Sequence, residues 1–102
     1  MKKILTVLFF LIFSTSAFTD PKMELGLEIF NNKAQCGMCH TLKAAGSKGQ
    51  IGTNLDELKP LMPQVVLVVT NGIGVMPAFE GMLSSEEIEA VAHFVSTSAG
   101  QK

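Results

Sequence analysis

Cys36-Gly37-Met38-Cys39-His40 is the stretch on which the reading of this chain turns. Two thiols three positions apart sit on one helical turn, from which both reach the vinyl groups of a single haem and form thioethers. The histidine directly after the second cysteine then turns its imidazole toward the iron. This spacing reads as covalent attachment of one haem c through Cys36 and Cys39, with His40 as an axial ligand. Two other chemistries use a Cys-x-x-Cys pair. A thiol–disulfide oxidoreductase needs a βαβ setting, and the sequence offers no convincing strands. A zinc site needs four ligands, and beyond the two cysteines only His40 and His93 are left to supply them.

Downstream of the motif, a low-spin electron carrier needs a sixth ligand, and a Met thioether raises the reduction potential. Met76 lies in Asn71-Gly72-Ile73-Gly74-Val75-Met76-Pro77, an irregular glycine-rich loop closed by a rigid proline. Such a loop wraps the far face of a flat cofactor and holds a sulfur at a fixed distance, so Met76 is the expected ligand. Met82 and Met62 are the reserves. Met38 is confined to the attachment turn, and Met23 belongs to the packing of the first helix. His93 reads as a solvated or hydrogen-bonded surface residue. A haem-based sensor or small peroxidase would instead leave the sixth position open.

The elements around these motifs are helical. Asp20-Pro21 opens a first helix as cap and first-turn proline, with Leu25, Ile29 and Phe30 on its apolar face and Gly26 one turn before Phe30. Thr41 to Asn54, with three glycines, reads as a loop. Val65-Val66-Leu67-Val68-Val69 has strand propensity, but Pro63 before it and Asn71-Gly72 after it are helix boundaries, and no second strand could pair with it. Ser84 and Glu87 form a capping box, with Leu83 and Ile88 as its hydrophobic staple. Ile88, Val91, Ala92 and Val95 then continue the helical spacing, with Phe94 beside them. The expected class is all-α, with short helices and loops wrapped on the haem.

At the N-terminus, Lys2 and Lys3 precede a mainly apolar run from Ile4 to Phe13 and the small residues Ser14 to Ala17, the order of a secretory signal peptide. The uncharged stretch Ile4–Thr19 is shorter than the ~20 residues of a spanning helix. Residues 1–17 are therefore the expected leader and residues 18–102 the mature domain, exported to the periplasm without a stable membrane anchor. The chain has 102 residues, 8 Lys+Arg, 9 Asp+Glu and a net charge of −1. That length holds one small domain and excludes a Rossmann or barrel enzyme, and with no Arg and no basic face a nucleic-acid partner is excluded too. So small a chain needs a staple, and the haem is the one available.

Taken together, Cys36-x-x-Cys39-His40, Gly52-Thr53-Asn54-Leu55 and Met76-Pro77-Ala78-Phe79 make the chain resemble a class I c-type cytochrome from about Gly26 to Val95. The resemblance implies the small cytochrome c fold, axial ligation by His40 and Met76, a pocket including Thr53, Leu55, Ile73 and Phe79, and packing of Gly26 and Phe30 on Phe94. Ile51-Gly52, Asn54-Leu55-Asp56-Glu57-Leu58-Lys59-Pro60 and Gly72-Ile73-Gly74-Val75-Met76-Pro77 are similar to the small cytochrome partners of periplasmic dehydrogenases, those of the molybdenum sulfite dehydrogenase type included. The implied role is one-electron transfer from such an enzyme toward a terminal oxidase or another cytochrome, with no catalysis of its own. Thr53 stands where the family usually has a proline whose carbonyl receives the axial histidine N–H. In a chain without Trp, Tyr or Arg, Thr53, Asn54, Gln50, Lys43 and Lys48 are the candidates to bond the haem propionates.

Overall fold

A computed structural model describes residues 20–101. The expected leader, residues 1–17, lies outside the described residues. Four helices carry the fold: α1 (Pro21–Glu28), α2 (Leu55–Leu58), α3 (Met62–Asn71) and α4 (Ser85–Ser98). Among the described residues no helix is long and apolar enough to cross a membrane.

The first helix starts where its cap dictates. Asp20 Oδ1 accepts from the Lys22 N–H at 2.9 Å, and Pro21 occupies the first turn, where no donor is missed. Its buried face is Gly26, Ile29 and Phe30, whereas Leu25 is 41% exposed and does not belong to it. Spacing of three and four from Gly26 selects Ile29 and Phe30, and Leu25, four positions before Ile29 but about 100° from Gly26, lies at the edge of that stripe. At its end α1 widens into a π-turn over Ile29–Lys33, in which the Ala34 N–H bonds Ile29 O at 2.8 Å. Gln35 then takes a left-handed conformation (φ 51°) and delivers the chain into a short 3₁₀ turn, Cys36–Met38.

The α4 capping box forms as expected. Ser84 Oγ accepts from the Glu87 N–H at 3.1 Å and Glu87 Oε1 from the Ser84 N–H at 3.0 Å. Leu83 and Ile88 are both buried beside it. From there α4 crosses α1. The Phe30 and Phe94 rings meet edge to face, 5.9 Å apart at 62°, an arrangement that adds roughly 0.5–1.5 kcal/mol beyond area burial. Lys33 pairs with Glu87, and His93 Nε2 lies 3.1 Å from Asp20 Oδ2, so His93 is the hydrogen-bonded surface residue expected of it.

The valine-rich run is helical, within α3, and ends at Gly72 with φ 73°. Strand propensity loses because both sides of a helix are used: Val65, Val68 and Val69 line the interior cleft, and Val66 packs against the core beside a second groove. The loop after the cysteine motif is more ordered than expected. It holds an antiparallel pair, β1 (Thr41–Leu42) and β2 (Ser47–Lys48), joined by a 3₁₀ turn at Lys43–Ala45. Strands of two residues leave no alternating pattern to read. The Ser47 hydroxyl, which accepts from the Leu42 N–H and donates to His40 O, supplies much of their order.

Gly26 sits where α1 meets α4. A Cβ there would collide with Ala90 O and lie 2.5 Å from Phe94 Cβ. Gly26→Ala is expected to lower stability by about 1–3 kcal/mol, the usual cost of overpacking a close contact. Thermal unfolding of the haem-loaded protein checks this, and an unchanged midpoint would mean that the two helices separate freely.

Candidate haem-binding cleft

Between α3, α4 and the segment from Thr53 to Pro60 lies a cleft of about 430 Å³ with almost wholly apolar walls. Phe30 and Val91 form part of it from the scaffold side, and Val65, Val68 and Val69 from α3. Into it come Cys36 and His40 from the motif, Thr53 and Leu55 from the entry of α2, and Ile73 and Met76 from the loop after α3. Residues far apart in sequence thus converge on one apolar slot, as a flat, largely apolar cofactor requires.

His40 is held by its backbone and by its ring. Its N–H bonds Cys36 O at 2.9 Å, closing the motif turn. Its Nδ1 donates to Thr53 O at 2.7 Å, which leaves Nε2 as the nitrogen available to a metal. The contact expected of the family's proline is therefore made by the carbonyl of Thr53. Gly52 permits the approach, because a Cβ there would lie 2.6 Å from His40 Cε1.

Met76 is the only methionine among the described residues that lines the cleft. The Ile73 N–H bonds Met76 O at 3.1 Å and the Met76 N–H bonds Ile73 O at 2.9 Å, so the glycine-rich loop is a closed turn. Met38 and Met82 are more than 60% exposed, Met62 lies on the outer groove of α3, and Met23 packs against the core.

Two expected site residues stand apart. Cys39 is half-buried on the motif turn but does not line the cleft. Phe79, expected in the pocket, is instead buried in the core and does not reach the cleft. Its N–H bonds Val69 O at 2.9 Å, which turns the chain back under α3 before the ring can face the cofactor slot. Ile73 does line the cleft and is 66% exposed, at its mouth.

Of the residues considered for the propionates, only Thr53 lines the cleft. Asn54 Oδ1 caps α2 by accepting from the Asp56 and Glu57 N–H groups. Gln64 also lines the cleft and accepts from the Leu61 N–H through Oε1, leaving its amide nitrogen to donate. Sequence reading passed over Gln64, although it is the one polar side chain at the start of the helical face shared with Val65, Val68 and Val69.

The Cys36 thiol does not suit nucleophilic redox chemistry. Burial pushes the Cys36 thiol up to about 11, opposite to the lowered value that makes a nucleophilic cysteine. The donor set fits haem c instead: two cysteines on one turn, an oriented imidazole, a thioether and apolar walls.

Comparison with known proteins agrees. The family described as cytochrome c oxidase, cbb3-type, subunit III matches residues 21–95. Cytochrome c6 of Picosynechococcus sp. is 33% identical over 97% of this chain and 96% of its own. Cytochrome c6 of Microcystis aeruginosa is 38% identical over 72% of this chain and 94% of its own. The crystal structure of the c-type cytochrome SorU from Sinorhizobium meliloti superposes with a TM-score of 0.73 and 57% identity, covering 78% of this chain and 92% of that one.

Thr53 separates backbone from side chain in the contact to His40. Thr53→Val keeps the carbonyl and drops the hydroxyl, and it is expected to leave the reduction potential unchanged. The Thr53 N–H donates no hydrogen bond among the described residues, so Thr53→Pro is expected to stabilise the fold by about 0.4–1 kcal/mol through the unfolded state. Voltammetry and thermal unfolding check the pair. A shifted potential in Thr53→Val would assign the role to the hydroxyl.

Proposed function

The chain belongs to the class I mono-haem c-type cytochromes and binds one haem c covalently, and on that premise we propose that it is a periplasmic carrier of single electrons whose haem is bonded by Cys36 and Cys39 and ligated by His40 and Met76. The observation that carries this reading is the convergence of Cys36, His40 and Met76 on one apolar cleft. When bound, the haem supplies the Fe(III)/Fe(II) couple.

The protein's own part is to hold, orient and exclude. The Thr53 carbonyl fixes the tautomer and the plane of His40. The closed Ile73–Met76 turn presents the thioether, a ligand that favours the reduced iron. Apolar walls from Leu55, Val68 and Val91 keep water out and favour the lower net charge at the metal. Each of these groups serves to bind and tune a redox centre, which supports a carrier role.

The leader-like residues 1–17 support export to the periplasm, where cleavage would leave a domain with no stable anchor. The sequence resemblance to small partners of periplasmic dehydrogenases supports a redox enzyme of the molybdenum sulfite dehydrogenase type as electron donor. A terminal oxidase or another cytochrome would be the acceptor. Recognition would be largely apolar. The 20 residues from Pro60 to Phe79 contain no Asp, Glu, Lys, Arg or His, and they include the exposed Leu61, Leu67, Ile73 and Val75. Such a patch marks an interaction surface.

Met76→Ala is expected to abolish the methionine-to-iron charge-transfer band and lower the potential, whereas Met82→Leu leaves both intact. Absorption spectra and voltammetry of the two periplasmically matured variants test the ligand. Retention of the band in Met76→Ala with its loss in Met82→Leu would move the ligand to Met82.

Association with a purified dehydrogenase of this type is expected to depend weakly on salt, because steering needs a patch of one sign around the transfer edge. Stopped-flow rates across low to moderate ionic strength measure it. A fall of more than about a hundredfold would reveal charge-driven docking.

A further inference from the structure

Three hydrogen bonds join the segment carrying His40 to the segment entering α2, and all share one offset. The Gly52 N–H donates to Cys39 O at 2.7 Å, His40 Nδ1 to Thr53 O at 2.7 Å, and the Lys43 N–H to Asp56 Oδ2 at 2.8 Å. Each links a residue to the one 13 positions later, so the two segments run side by side in constant register. Two of the rungs use only backbone and imidazole atoms. The third depends on a side chain, that of Asp56.

Asp56 is fixed from both sides. Its Oδ1 accepts from the Gly100 N–H at 2.9 Å, just beyond the end of α4. One carboxylate therefore ties the hairpin after the motif, the first turn of α2 and the tail of the long helix. These N–H groups, Gly100 first and Lys43 second, hold its carboxyl below the ordinary carboxylate range. A carboxyl lowered in this way adds stability above that range and loses it only as pH falls through the lower folded value, so the clasp is closed at neutral pH. Thr53 lies three residues before Asp56. If α2 turned, it would carry the Thr53 carbonyl off the imidazole, and the Asp56 bonds oppose that turn from the far end of the register.

We propose that Asp56 is a positioning residue for His40, holding the Thr53 carbonyl on the ring and so setting how strongly the imidazole donates to iron. This rests on the reading of His40 as an axial ligand. Loosening the rung weakens the hold on Nδ1–H, makes the ring a poorer donor to ferric iron and raises the potential.

Removing Asp56 also removes a negative charge, and the test holds that constant. Asp56→Ala, Asp56→Asn and Glu57→Gln each remove one carboxylate. Asp56→Asn keeps the shape and one acceptor oxygen, and the Glu57 side chain takes no part in the ladder. The readouts are the midpoint potential and solvent exchange of the His40 Nδ1 proton, followed by NMR in the reduced haem-loaded protein. Exchange in Asp56→Ala is expected to exceed that in Glu57→Gln by roughly three- to tenfold, the ratio set by one ordinary hydrogen bond. Asp56→Asn should lie between them, and the potential should rise in the same order. Equal potentials in the three variants, with unmoved exchange, overturn the proposal. If Asp56→Ala does not fold, Asp56→Asn against Glu57→Gln decides the same question. A wild-type spectrum without histidine ligation would overturn the ligand assignment and this proposal together, whereas a normal wild-type spectrum with unmoved exchange overturns this proposal alone.

Discussion

Where α1 crosses α4, the Gly26 backbone lies so close to Ala90 and Phe94 that no side chain fits between the helices. The remaining geometry depends on that contact. It brings Phe30 onto Phe94, and Phe30 is also a wall of the cleft. It also fixes the direction in which α1 leaves the crossing, through the π-turn and Gln35 into the cysteine motif. Val91 and Val95 of the same α4, on the face adjoining that contact, line the cleft. Scaffold and site therefore share residues, and the cofactor acts as part of the core. A chain of this size buries only about 60% of its unfolded surface by itself, so a large apolar prosthetic group is a structural component as much as a redox one.

Charge and apolarity are segregated along the chain. The ion pairs Lys22–Glu89, Lys33–Glu87 and Asp20–His93 all join α1 to α4. Exposed pairs of this kind contribute little because solvent screens them, so they tune a crossing whose strength comes from the buried faces. The other face, formed by α3 and the loop to Phe79, carries no charge. The cleft opens on that side, with Leu67 and Ile73 at its rim.

What was legible in the sequence was chiefly local. The capping box at Ser84 and Glu87, the cap at Asp20 and the helix stop at Gly72 each involve residues within a few positions of one another, and all form as read. Cys36, His40 and Met76 were legible as residues of one cleft because the motif spacing and the glycine-rich loop restrict where such residues lie. Leu25 and Phe79 were misplaced for a shared reason: each adjoins a correct residue in sequence, yet one step along the backbone turns a side chain out of the group. For Leu25 the step is the helical angle from Gly26, and for Phe79 it is the bond from its N–H to Val69 O. The β1–β2 pair was missed because two-residue strands have no period. The register that links His40 to Thr53 and Lys43 to Asp56 was hidden because it spans 13 residues through a loop. Gln64 was hidden because a single polar residue in an apolar run carries no pattern.

The π-turn at Ile29–Lys33 has a consequence for how this chain tolerates changes of length. A π-turn holds one residue more than the α-turn it replaces, and one residue is about 100° of helical rotation. Between the α1–α4 crossing and Cys36 the backbone is thus phased to the residue. A deletion at Asn31 or Asn32 is the one change this turn absorbs, by returning to ordinary helical winding with the attachment turn still toward the cleft, whereas a residue added there would swing that turn about a quarter of the way around the axis. The exposed turn at Lys43–Gly46 bears no such phase relation, and a residue added at its tip lengthens the bend without rotating β2 or the strand's successor segment. Two segments of similar length on either side of the motif therefore differ in evolvability: one gives up a single residue and takes no more, the other is slack.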